Sequence, residues 1–276
     1  MKKNKFIEYE KKAKDLRKLV LDMCVKAGTG HVTSSFSCIE ILVALYYGGI
    51  LKYKVDNPKW EKRDRFILSK GQASPILYVI LADLGFFPIS ACDKFCCADG
   101  MFGVHLQNDV PGVEITTGSL GHGLGIGAGM AYIAKKEKRD WFVFVLLGDG
   151  ELYEGSIWES ALFVSHHKLN NLVAIVDRNW LCVTDFTENI VKLEPLEEKW
   201  ESYGWETERI NGHDFGEIFK VLKNVKERKS EKPLVIIANT IKGKGVSFME
   251  NQILWHGMAP KGKEAEKAKK ELNNEK

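Results

Sequence analysis

The sequence predicts an α/β fold, a parallel sheet with helices on both faces. Two apolar runs of strand length, 141–147 and 172–176, each end at a turn signal, which is typical of buried parallel strands. Helical patterns alternate with such runs along the chain, and parallel strands need long crossover connections of this kind. The alternation therefore favours a parallel sheet that is covered by helices on both sides.

The first half of the chain is predicted to be mostly helical. Apolar residues from Leu16 to Cys24 recur at helical spacing, so the first helix ends near Ala27. The remaining elements predicted before residue 140 are a loop at 28–37, a helix at 38–47, a charged connection at 52–64, a strand at 66–68, a helix at 73–84, a long loop at 86–117 that contains a helix at 90–98, and a glycine-rich helix that ends near residue 136. Glycine destabilises a helix, so the run from Gly118 to Gly129 predicts the close approach of another backbone, a ligand or a neighbouring subunit.

The second half alternates more regularly. The elements predicted after residue 140 are a strand at 141–147, a crossover helix at 157–168, a strand at 172–176, a helix at 195–203, a strand at 205–210, a helix at 215–229 and a strand at 234–238. We expect one domain over residues 1–260. Residues 261–276 form a charged tail with few apolar side chains, which we interpret as solvated or disordered, or alternatively as a partner-binding helix.

Composition argues against several function classes. The 276 residues include 40 Lys and Arg and 37 Asp and Glu, a net charge of only +3, which gives no indication of nucleic-acid binding. The apolar runs are shorter than the roughly 20 residues of a membrane span, and the charged N-terminus is unlike a signal peptide. We therefore expect a cytoplasmic protein that does not bind a membrane. Six cysteines do not indicate a disulfide framework, and the cluster of Cys92, Cys96 and Cys97 is interpreted as packing rather than as a metal site.

Two polar residues follow neighbouring predicted strands. Asp149 comes directly after the first apolar run, between two glycines, and Asn179 comes shortly after the second. Because the carboxyl ends of parallel strands meet at one sheet edge, where open α/β sheets bind their ligands, we expect these side chains to lie close together. Carboxylate and amide oxygens are ligands that Mg²⁺ prefers, and Mg²⁺ often shares its shell with substrate phosphates. The pair therefore predicts a metal that holds a diphosphate.

Several separated motifs together resemble the transketolase family. They are Gly-Thr-Gly-His at 28–31, Arg-Asp-Arg-Phe-Ile-Leu-Ser-Lys-Gly at 63–71, Pro-Gly-Val-Glu at 111–114, Thr-Gly-Ser-Leu-Gly at 117–121, Gly-Asp-Gly-Glu-Leu-Tyr-Glu-Gly-Ser-Ile-Trp-Glu at 148–159 and Trp-His-Gly-Met-Ala-Pro at 255–260. The resemblance covers about Ala27 to Pro260. A full transketolase chain carries two further domains, so this chain resembles the N-terminal subunit of a split transketolase with the thiamine diphosphate-binding fold.

The resemblance implies a thiamine diphosphate site that contains Mg²⁺, for which Ca²⁺ or Mn²⁺ may substitute. Asp149 and Asn179 are the implied side-chain ligands, and Leu181 is the implied carbonyl ligand. The remaining implied cofactor residues are Gly118 and Leu120 at the aminopyrimidine ring, Gly148, Gly150 and Glu151 near the phosphates, Gln72 near the diphosphate, and Glu154 and Glu159 in a network that bridges subunits.

The resemblance also selects three of the seven histidines as catalytic. His31, His256 and His105 occupy loops from which transketolases direct histidines onto the hydroxyls and carbonyl of the sugar. An ordinary histidine pKa of about 6.5 suits proton exchange with a ketose hydroxyl at neutral pH. We rank His105 below the others, since Leu106 stands where the family has proline. The other four histidines, at 122, 166, 167 and 213, are interpreted as structural or exposed.

The sequence departs from the family pattern at two places near the expected site. Val32, Thr33 and Ser34 stand where the family usually has Pro, Gly and Gly, and Gln72 stands where it usually has histidine. The implied function is transfer of a two-carbon ketol unit from a ketose, or ketose phosphate, to an aldose acceptor. These departures favour, as an alternative, a modified or nucleotide-linked sugar acceptor.

The implied partner is a C-terminal transketolase subunit that carries the pyrimidine-binding and C-terminal domains, most simply in a heterotetramer. The glutamate that activates the cofactor belongs to that missing part of the family pattern. Two further alternatives are the α subunit of a thiamine-dependent 2-oxo acid dehydrogenase, which shares the metal motif, and a non-catalytic cofactor-binding subunit. The motifs around His31 and His256 argue against both.

Overall fold

The structure, a computed structural model, describes residues 3–274 and contains a five-stranded parallel sheet. The strands are β1 (Arg65–Leu68), β2 (Val143–Gly148), β3 (Leu172–Arg178), β4 (Glu206–Asn211) and β5 (Leu234–Asn239), in the order β1-β2-β3-β5-β4. In register, Gly148 of β2 pairs with Asp177 of β3, and Arg178 pairs with Asn239 of β5. The polar residues after β2, β3 and β5 therefore meet at one edge of the sheet. The predicted α/β class with a parallel sheet is confirmed.

Ten α-helices surround the sheet in the described part of the chain. They are α1 (Lys3–Ala27), α2 (Val32–Phe36), α3 (Ile39–Tyr47), α4 (Ser74–Leu84), α5 (Gly123–Lys136), α6 (Gly155–His166), α7 (Thr187–Ile190), α8 (Leu196–Ser202), α9 (Phe215–Leu222) and α10 (Gly262–Asn274). Three predictions are wrong in part. The loop at 28–37 contains α2, the helix at 90–98 is a 3₁₀ turn at Ile89–Lys94, and α9 ends at Leu222 rather than at 229. All five residues of α2 are buried, so packing stabilises a helix whose β-branched and hydroxyl residues do not favour it alone.

The apolar side chains form one core on each face of the sheet. Leu16 of α1 and Leu77 of α4 pack on one face, and Ala131 of α5 and Ala161 of α6 pack on the other. The two faces draw on alternate residues of the central strands. All residues of β3 are buried, as expected of a strand covered on both sides.

Two glycines of α5 allow this helix to lie directly on the sheet. A β-carbon added at Gly123 would lie 2.2 Å from Ser69 Oγ, and one at Gly127 would lie 2.8 Å from a methyl group of Val145. The glycine run was predicted to mark a close approach, and the contact at these two positions is with β2 and the end of β1. Gly129 has no such neighbour within 4 Å. The close packing holds the loop before α5 against the carboxyl end of β1.

The C-terminal segment is not a solvated or disordered tail. Helix α10 buries Ala268 and Leu272 at 0% exposure. It packs against α1, and the Glu271 carboxylate accepts hydrogen bonds from the main-chain and side-chain donors of Ser247 at 2.6 and 3.0 Å. Most of its charged side chains lie on the opposite face. Because charged residues outnumber apolar ones in this segment, its composition alone did not indicate an amphipathic helix. Residues 275 and 276 of the predicted tail lie outside the described residues.

The cysteine cluster differs from the packing that was predicted for it. Cys92 is half-buried against the core, whereas Cys96 and Cys97 are exposed because the segment leaves the helical conformation after Lys94. Within residues 3–274, no three His, Cys, Asp or Glu side chains cluster as a metal-binding group. No helix in the same range is long and apolar enough to cross a membrane.

Candidate functional site

A cavity of about 230 Å³ opens at the carboxyl edge of β2, β3 and β5. Its lining comprises Ser34, Lys70, Gln72, Leu120, Gly148, Asp149, Gly150, Glu151, Tyr153, Asn179, Leu181, Cys182, Val183, Lys242 and His256. Nine of the residues selected from the sequence are therefore in one cavity. Four of the remaining five, His31, His105, Gly118 and Glu154, contact this set or lie beside it, and Glu159 lies further along α6.

Asp149 is a buried carboxylate at the end of β2. Its Oδ1 accepts a hydrogen bond from the Gly150 N–H at 2.8 Å, and its Oδ2 accepts from the Trp180 N–H at 2.6 Å and from Arg178 Nη1 at 3.1 Å. Burial raises the pKa of Asp149, and the neighbouring Asp177 adds to this effect. A divalent cation would oppose both causes, so the environment fits a metal ligand.

Asn179 is held in one orientation by the residue two positions before it. Its amide nitrogen donates to Asp177 Oδ2 at 3.2 Å, while its Oδ1 accepts from the Leu181 N–H at 3.2 Å. Asn179, Leu181 and Asp149 all line the cavity. One carboxylate, one amide oxygen and one carbonyl oxygen form a donor set that suits Mg²⁺ and leaves room for phosphate oxygens and water.

Two buried lysines bring positive charge to the same cavity. Lys70 forms an ion pair with Asp177 and donates to the Ser34 carbonyl at 2.9 Å. Lys242, only 3% exposed, contacts the Leu181 carbonyl at 3.3 Å and His256 Nδ1 at 3.1 Å, neither of which is a carboxylate. Burial and the charge of Lys70 lower the pKa of Lys242 to about 8. An anionic ligand would compensate this cation, so the cavity fits a diphosphate.

The three selected histidines form one cluster. The ring of His31 lies 6.1 Å from that of His105 and 6.0 Å from that of His256, measured between ring centroids. His256 Nδ1 also lies 3.1 Å from the Cys182 carbonyl. His31 Nδ1 is buried and has no hydrogen-bond partner within the described chain. An unsatisfied ring nitrogen beside a cavity is a position at which a ligand hydroxyl could bind.

Two of these histidines are neutral at physiological pH. Burial lowers the pKa of His31 to about 4, and the charges of His105 and Lys242 act in the same direction. Burial followed by Lys242 and His31 lowers the pKa of His256 to about 4. A neutral imidazole can accept a proton from one hydroxyl and return it, so both rings suit proton exchange with a sugar.

Gly118 lies next to both Gln72 and His105. The Gly118 carbonyl accepts a hydrogen bond from Gln72 Nε2 at 3.4 Å. Gly118 has φ of +135°, and a β-carbon added there would lie 2.8 Å from the His105 ring. Both the positive φ and the lack of space for a β-carbon require glycine at position 118. Leu120 lines the cavity three residues before α5 begins.

Glu151 is buried just after β2 and lines the cavity. Its buried carboxylate accepts hydrogen bonds from the Gly121 N–H at 2.9 Å, from the Gly148 N–H at 3.0 Å and from the Ser69 hydroxyl. The side chain thus joins the loop before α5 to the end of β2. Burial raises the pKa of Glu151, and these three donors act against that rise. The Glu151 side chain therefore holds this end of the cavity together.

Glu154 and Glu159 are both exposed near the start of α6, and their role in a network that bridges subunits stays a prediction.

Glu188 is partly buried rather than fully exposed. Its carboxylate pairs with Arg178 at 2.7 Å and accepts a hydrogen bond from the Leu193 N–H at 3.1 Å. His213 also has a structural role: its Nδ1 lies 3.0 Å from Glu40 Oε2, and its Nε2 accepts a hydrogen bond from the Ile241 N–H at 2.8 Å.

Sequence reasoning missed Lys70 and Lys242 as site residues. Lys70 was part of a quoted motif, and it follows β1 by two residues. Lys242 follows β5 by three residues, at the same sheet edge as Asp149. The rule that drew attention to Asp149, a polar residue just beyond a buried parallel strand, would have found both.

Residues 9–276 match the family described as transketolase, thiamine diphosphate binding domain. The chain is 40% identical over 257 residues to an apulose-4-phosphate transketolase subunit of Phocaeicola vulgatus, and the match covers 93% of this chain and 91% of that protein. It is also 40% identical over 253 residues to the 6-deoxy-6-sulfo-D-fructose transketolase subunit SqwG of a Clostridium species, with 91% of each covered.

A solved transketolase from Campylobacter jejuni has a TM-score of 0.89 and 34% identity to this chain. The likeness covers 96% of this chain but only 42% of that one, so the chain spans about two fifths of the solved enzyme. The family resemblance inferred from the motifs is confirmed. This chain belongs to the transketolase family, and the part of the family that it contains is the thiamine diphosphate-binding domain.

Proposed function

We propose that this chain is the cofactor-binding subunit of a two-chain transketolase that transfers a two-carbon ketol unit from a ketose to an aldose acceptor. The observation that carries the proposal is one cavity in which the oxygens of Asp149, Asn179 and Leu181 lie beside neutral His256. Relatives of similar length, each named as a subunit of a transketolase, support it.

The cavity holds thiamine diphosphate and Mg²⁺ in this proposal. Asp149, Asn179 and the Leu181 carbonyl bind the metal, with Ca²⁺ or Mn²⁺ as possible substitutes, and Lys70 and Lys242 balance the diphosphate charge. Gly118, Leu120, Gly148, Gly150, Glu151 and Gln72 surround the rest of the cofactor. The bound cofactor supplies the electron sink that carbon–carbon cleavage next to a carbonyl requires.

The histidine cluster handles protons and orientation. His31 offers an unpartnered Nδ1, and His256 offers the ring nitrogen opposite the one that contacts Lys242 and Cys182. Being neutral, they accept a hydroxyl proton from the sugar and return it as the reaction proceeds. His105 packs against Gly118 and, with its ring 6.1 Å from that of His31, orients the sugar.

The proposal requires a second polypeptide with the pyrimidine-binding and C-terminal domains, in a heterotetramer. The support is that this chain corresponds to about two fifths of a solved transketolase, whereas relatives of similar length are named as subunits. Glu154 and Glu159, both exposed, are proposed to contact a neighbouring subunit. We place the complex in the cytoplasm, since the six cysteines are unpaired.

The sugar substrate that we favour is a modified sugar or sugar phosphate. Relatives with 40% identity are named for apulose-4-phosphate and for 6-deoxy-6-sulfo-D-fructose. A fructose is a ketose, so the second name supports a modified donor of the two-carbon unit. Gln72 and Ser34, where this chain departs from the family pattern, both line the cavity. The naming of the relatives gives no support to a 2-oxo acid dehydrogenase or a non-catalytic subunit.

The test is reconstitution with a candidate partner that carries the missing domains. We expect no ketol transfer by this chain alone with Mg²⁺ and thiamine diphosphate, and turnover when the partner is added. His31→Asn and His256→Asn should each lower kcat of the pair by about 10²- to 10⁴-fold, the range for a lost acid or base. Turnover by the isolated chain would exclude the two-chain proposal, and full kcat in either variant would exclude that histidine.

A further inference from the structure

Thr33 joins three segments of the candidate site through one buried residue. It is the second residue of α2 and is 0% exposed. Its hydroxyl donates to the Trp255 carbonyl at 2.9 Å, and its own carbonyl accepts from the Gly243 N–H at 3.2 Å. His31 lies two residues before it, so the three segments carry His31, Lys242 and His256.

The segment between Gly243 and Trp255 has little regular structure of its own. Only a 3₁₀ turn at Ile253–Trp255 interrupts it. The Asn251 N–H donates to the Lys242 carbonyl at 2.9 Å, which closes the segment into a loop. Thr33 contacts both ends of this loop, one residue after Lys242 and one residue before His256. A loop held at its two ends by one residue has little freedom to move its flanking side chains.

The side chain of Thr33 also fits the backbone of Gly243. This glycine has φ of +81°, and a β-carbon built on it would lie 3.2 Å from the Thr33 methyl group and 2.4 Å from the Met249 carbonyl. The methyl group therefore packs against a backbone that has no room for a side chain. The hydroxyl contacts the Trp255 end of the loop, and the methyl group contacts the Gly243 end. A serine variant keeps only the hydroxyl, a valine variant keeps only the methyl contact, and an alanine variant keeps neither.

We propose that Thr33 is a positioning residue that fixes His256 and Lys242 relative to His31, an inference that rests on the proposed function of these three side chains. The hydroxyl is the necessary group, because without it the Trp255 carbonyl loses a buried hydrogen bond next to His256. A glycine, which the family pattern usually has here, makes no such contact. This chain thus ties its proton-handling residues together by a bond that the common pattern lacks.

The first experiment measures amide hydrogen exchange in the isolated chain and needs no activity. In Thr33→Val, exchange of amides between residues 250 and 257 should accelerate by about five- to tenfold, the factor for one lost hydrogen bond. Thr33→Ser should stay near wild type. Amides of β3 should not change, which separates a local effect from global unfolding. The matched control is Tyr53→Phe, which removes a hydroxyl donor to the Tyr46 carbonyl at the same 2.9 Å distance, away from the cavity.

Thr33→Ala provides a second variant without the hydroxyl, in case valine prevents folding. The proposal is overturned if a folded variant without the hydroxyl shows unchanged exchange at residues 250–257. It is also overturned if exchange accelerates as much in Thr33→Ser as in Thr33→Val. Either result stands whatever reaction the protein catalyses.

The second experiment uses the reconstituted pair. Thr33→Val should lower kcat by about tenfold or more while thiamine diphosphate affinity changes little, because valine keeps the main-chain hydrogen bond to Gly243, next to Lys242. The proposed metal ligands follow β2 and β3 and lie outside the loop. Thr33→Ser should restore kcat. If the exchange effect appears but the pair shows no ketol transfer at all, the proposed function fails and the Thr33 contact remains. If the pair is active and Thr33→Val keeps full kcat, the positioning role fails alone.

Discussion

Asp149 contacts both the cavity and the buried guanidinium of Arg178. That guanidinium pairs with Glu188 and Glu194 as well and lies over the Trp180 ring at 3.7 Å. The arginine is 0% exposed, so it needs these partners to offset the cost of burying its charge. A single residue therefore joins the predicted metal ligand to the segment that follows β3. A substitution of Asp149 can therefore alter the stability of the fold as well as cofactor binding, and both must be measured.

We expect Asp149→Asn to weaken thiamine diphosphate binding in the presence of Mg²⁺ by at least about tenfold. Even residues that only support metal ligands alter affinity by about 10- to 100-fold, and this change removes a charged ligand. Calorimetric titration of the reconstituted pair is the measurement. The control is Glu198→Gln, which removes one negative charge from an exposed position of α8.

Circular dichroism should show that the Asp149→Asn variant remains folded before its affinity is interpreted. Glu198 is used rather than Glu188 because Glu188 pairs with Arg178, the same guanidinium that contacts Asp149. Equal affinity in the two variants would mean that Asp149 does not bind the metal.

Gln72 is the residue at which we expect a change to create a new pH dependence. Its amide donates to the Gly118 carbonyl and lines the cavity, with Lys70 two positions before it. In Gln72→His, protonation below the ordinary pKa of about 6.5 would add a cation beside the proposed diphosphate site. Affinity for the cofactor should then increase as pH falls through that value. Because the neighbouring Lys70 cation disfavours protonation of the new histidine, this increase should occur at a somewhat lower pH than 6.5.

Titration of cofactor and of sugar at several pH values checks this prediction, with the exposed Gln107→His as control. A rise in the substrate KM with a flat cofactor affinity would instead assign Gln72 to the sugar. A protein unchanged in both would mean that Gln72 only packs against Gly118.

At the level of elements, α10 contributes to the core that supports the site. Leu272 and Ala268 are fully buried, and Leu272 Cδ2 lies 3.2 Å from the position of a β-carbon at Gly245. Lys269 pairs with Asp22 of α1 at 2.7 Å. The helix thus braces the loop that leads from Lys242 to His256.

Leu272→Ala should lower the free energy of unfolding by about 2–5 kcal/mol, the usual cost of removing a buried leucine. Urea unfolding of the isolated chain measures it. Lys270→Ala, an exposed change on the same helix, should alter stability by less than about 0.5 kcal/mol. Similar stabilities for the two variants would contradict the observed packing of α10.

At the level of the whole molecule, the neutral histidines make stability depend on pH. His31 and His256 have pKa values lowered from 6.5 to about 4 in the folded chain. Between these values the unfolded chain binds more protons than the folded chain, so falling pH favours unfolding. Their contribution to stability is complete above about pH 6.5 and decreases as pH falls towards 4.

The double variant His31→Asn/His256→Asn should therefore lose less stability than wild type between about pH 7.5 and about pH 5. Urea unfolding at both values measures the difference. Replacement of the exposed His122 by Asn is the control and should leave the pH dependence of wild type. A double variant as pH-sensitive as wild type would mean that these rings titrate near their ordinary value.

Local pattern determined the sheet and much of the polar edge that lines the cavity. Buried parallel strands are apolar throughout, and polar residues directly after them fall at one edge, so Asp149 and Asn179 could be placed together from spacing alone. The selection of His31, His105 and His256 required the family motifs, because a histidine in a loop has no periodicity to locate it. Amphipathic α10 was misread because a few buried apolar residues among many charges look like a solvated tail.

Only the tertiary structure decided which distant residues meet. Thr33 and Trp255 are separated by 222 positions, and Lys70 and Asp177 by 107. Such contacts depend on the order of strands and on how loops pack, which no local pattern encodes. The pKa values of His31, His256 and Lys242 depend on burial in the same way. The sequence by itself determined the type of fold and the kinds of groups at the sheet edge, and packing decided their protonation and their partners.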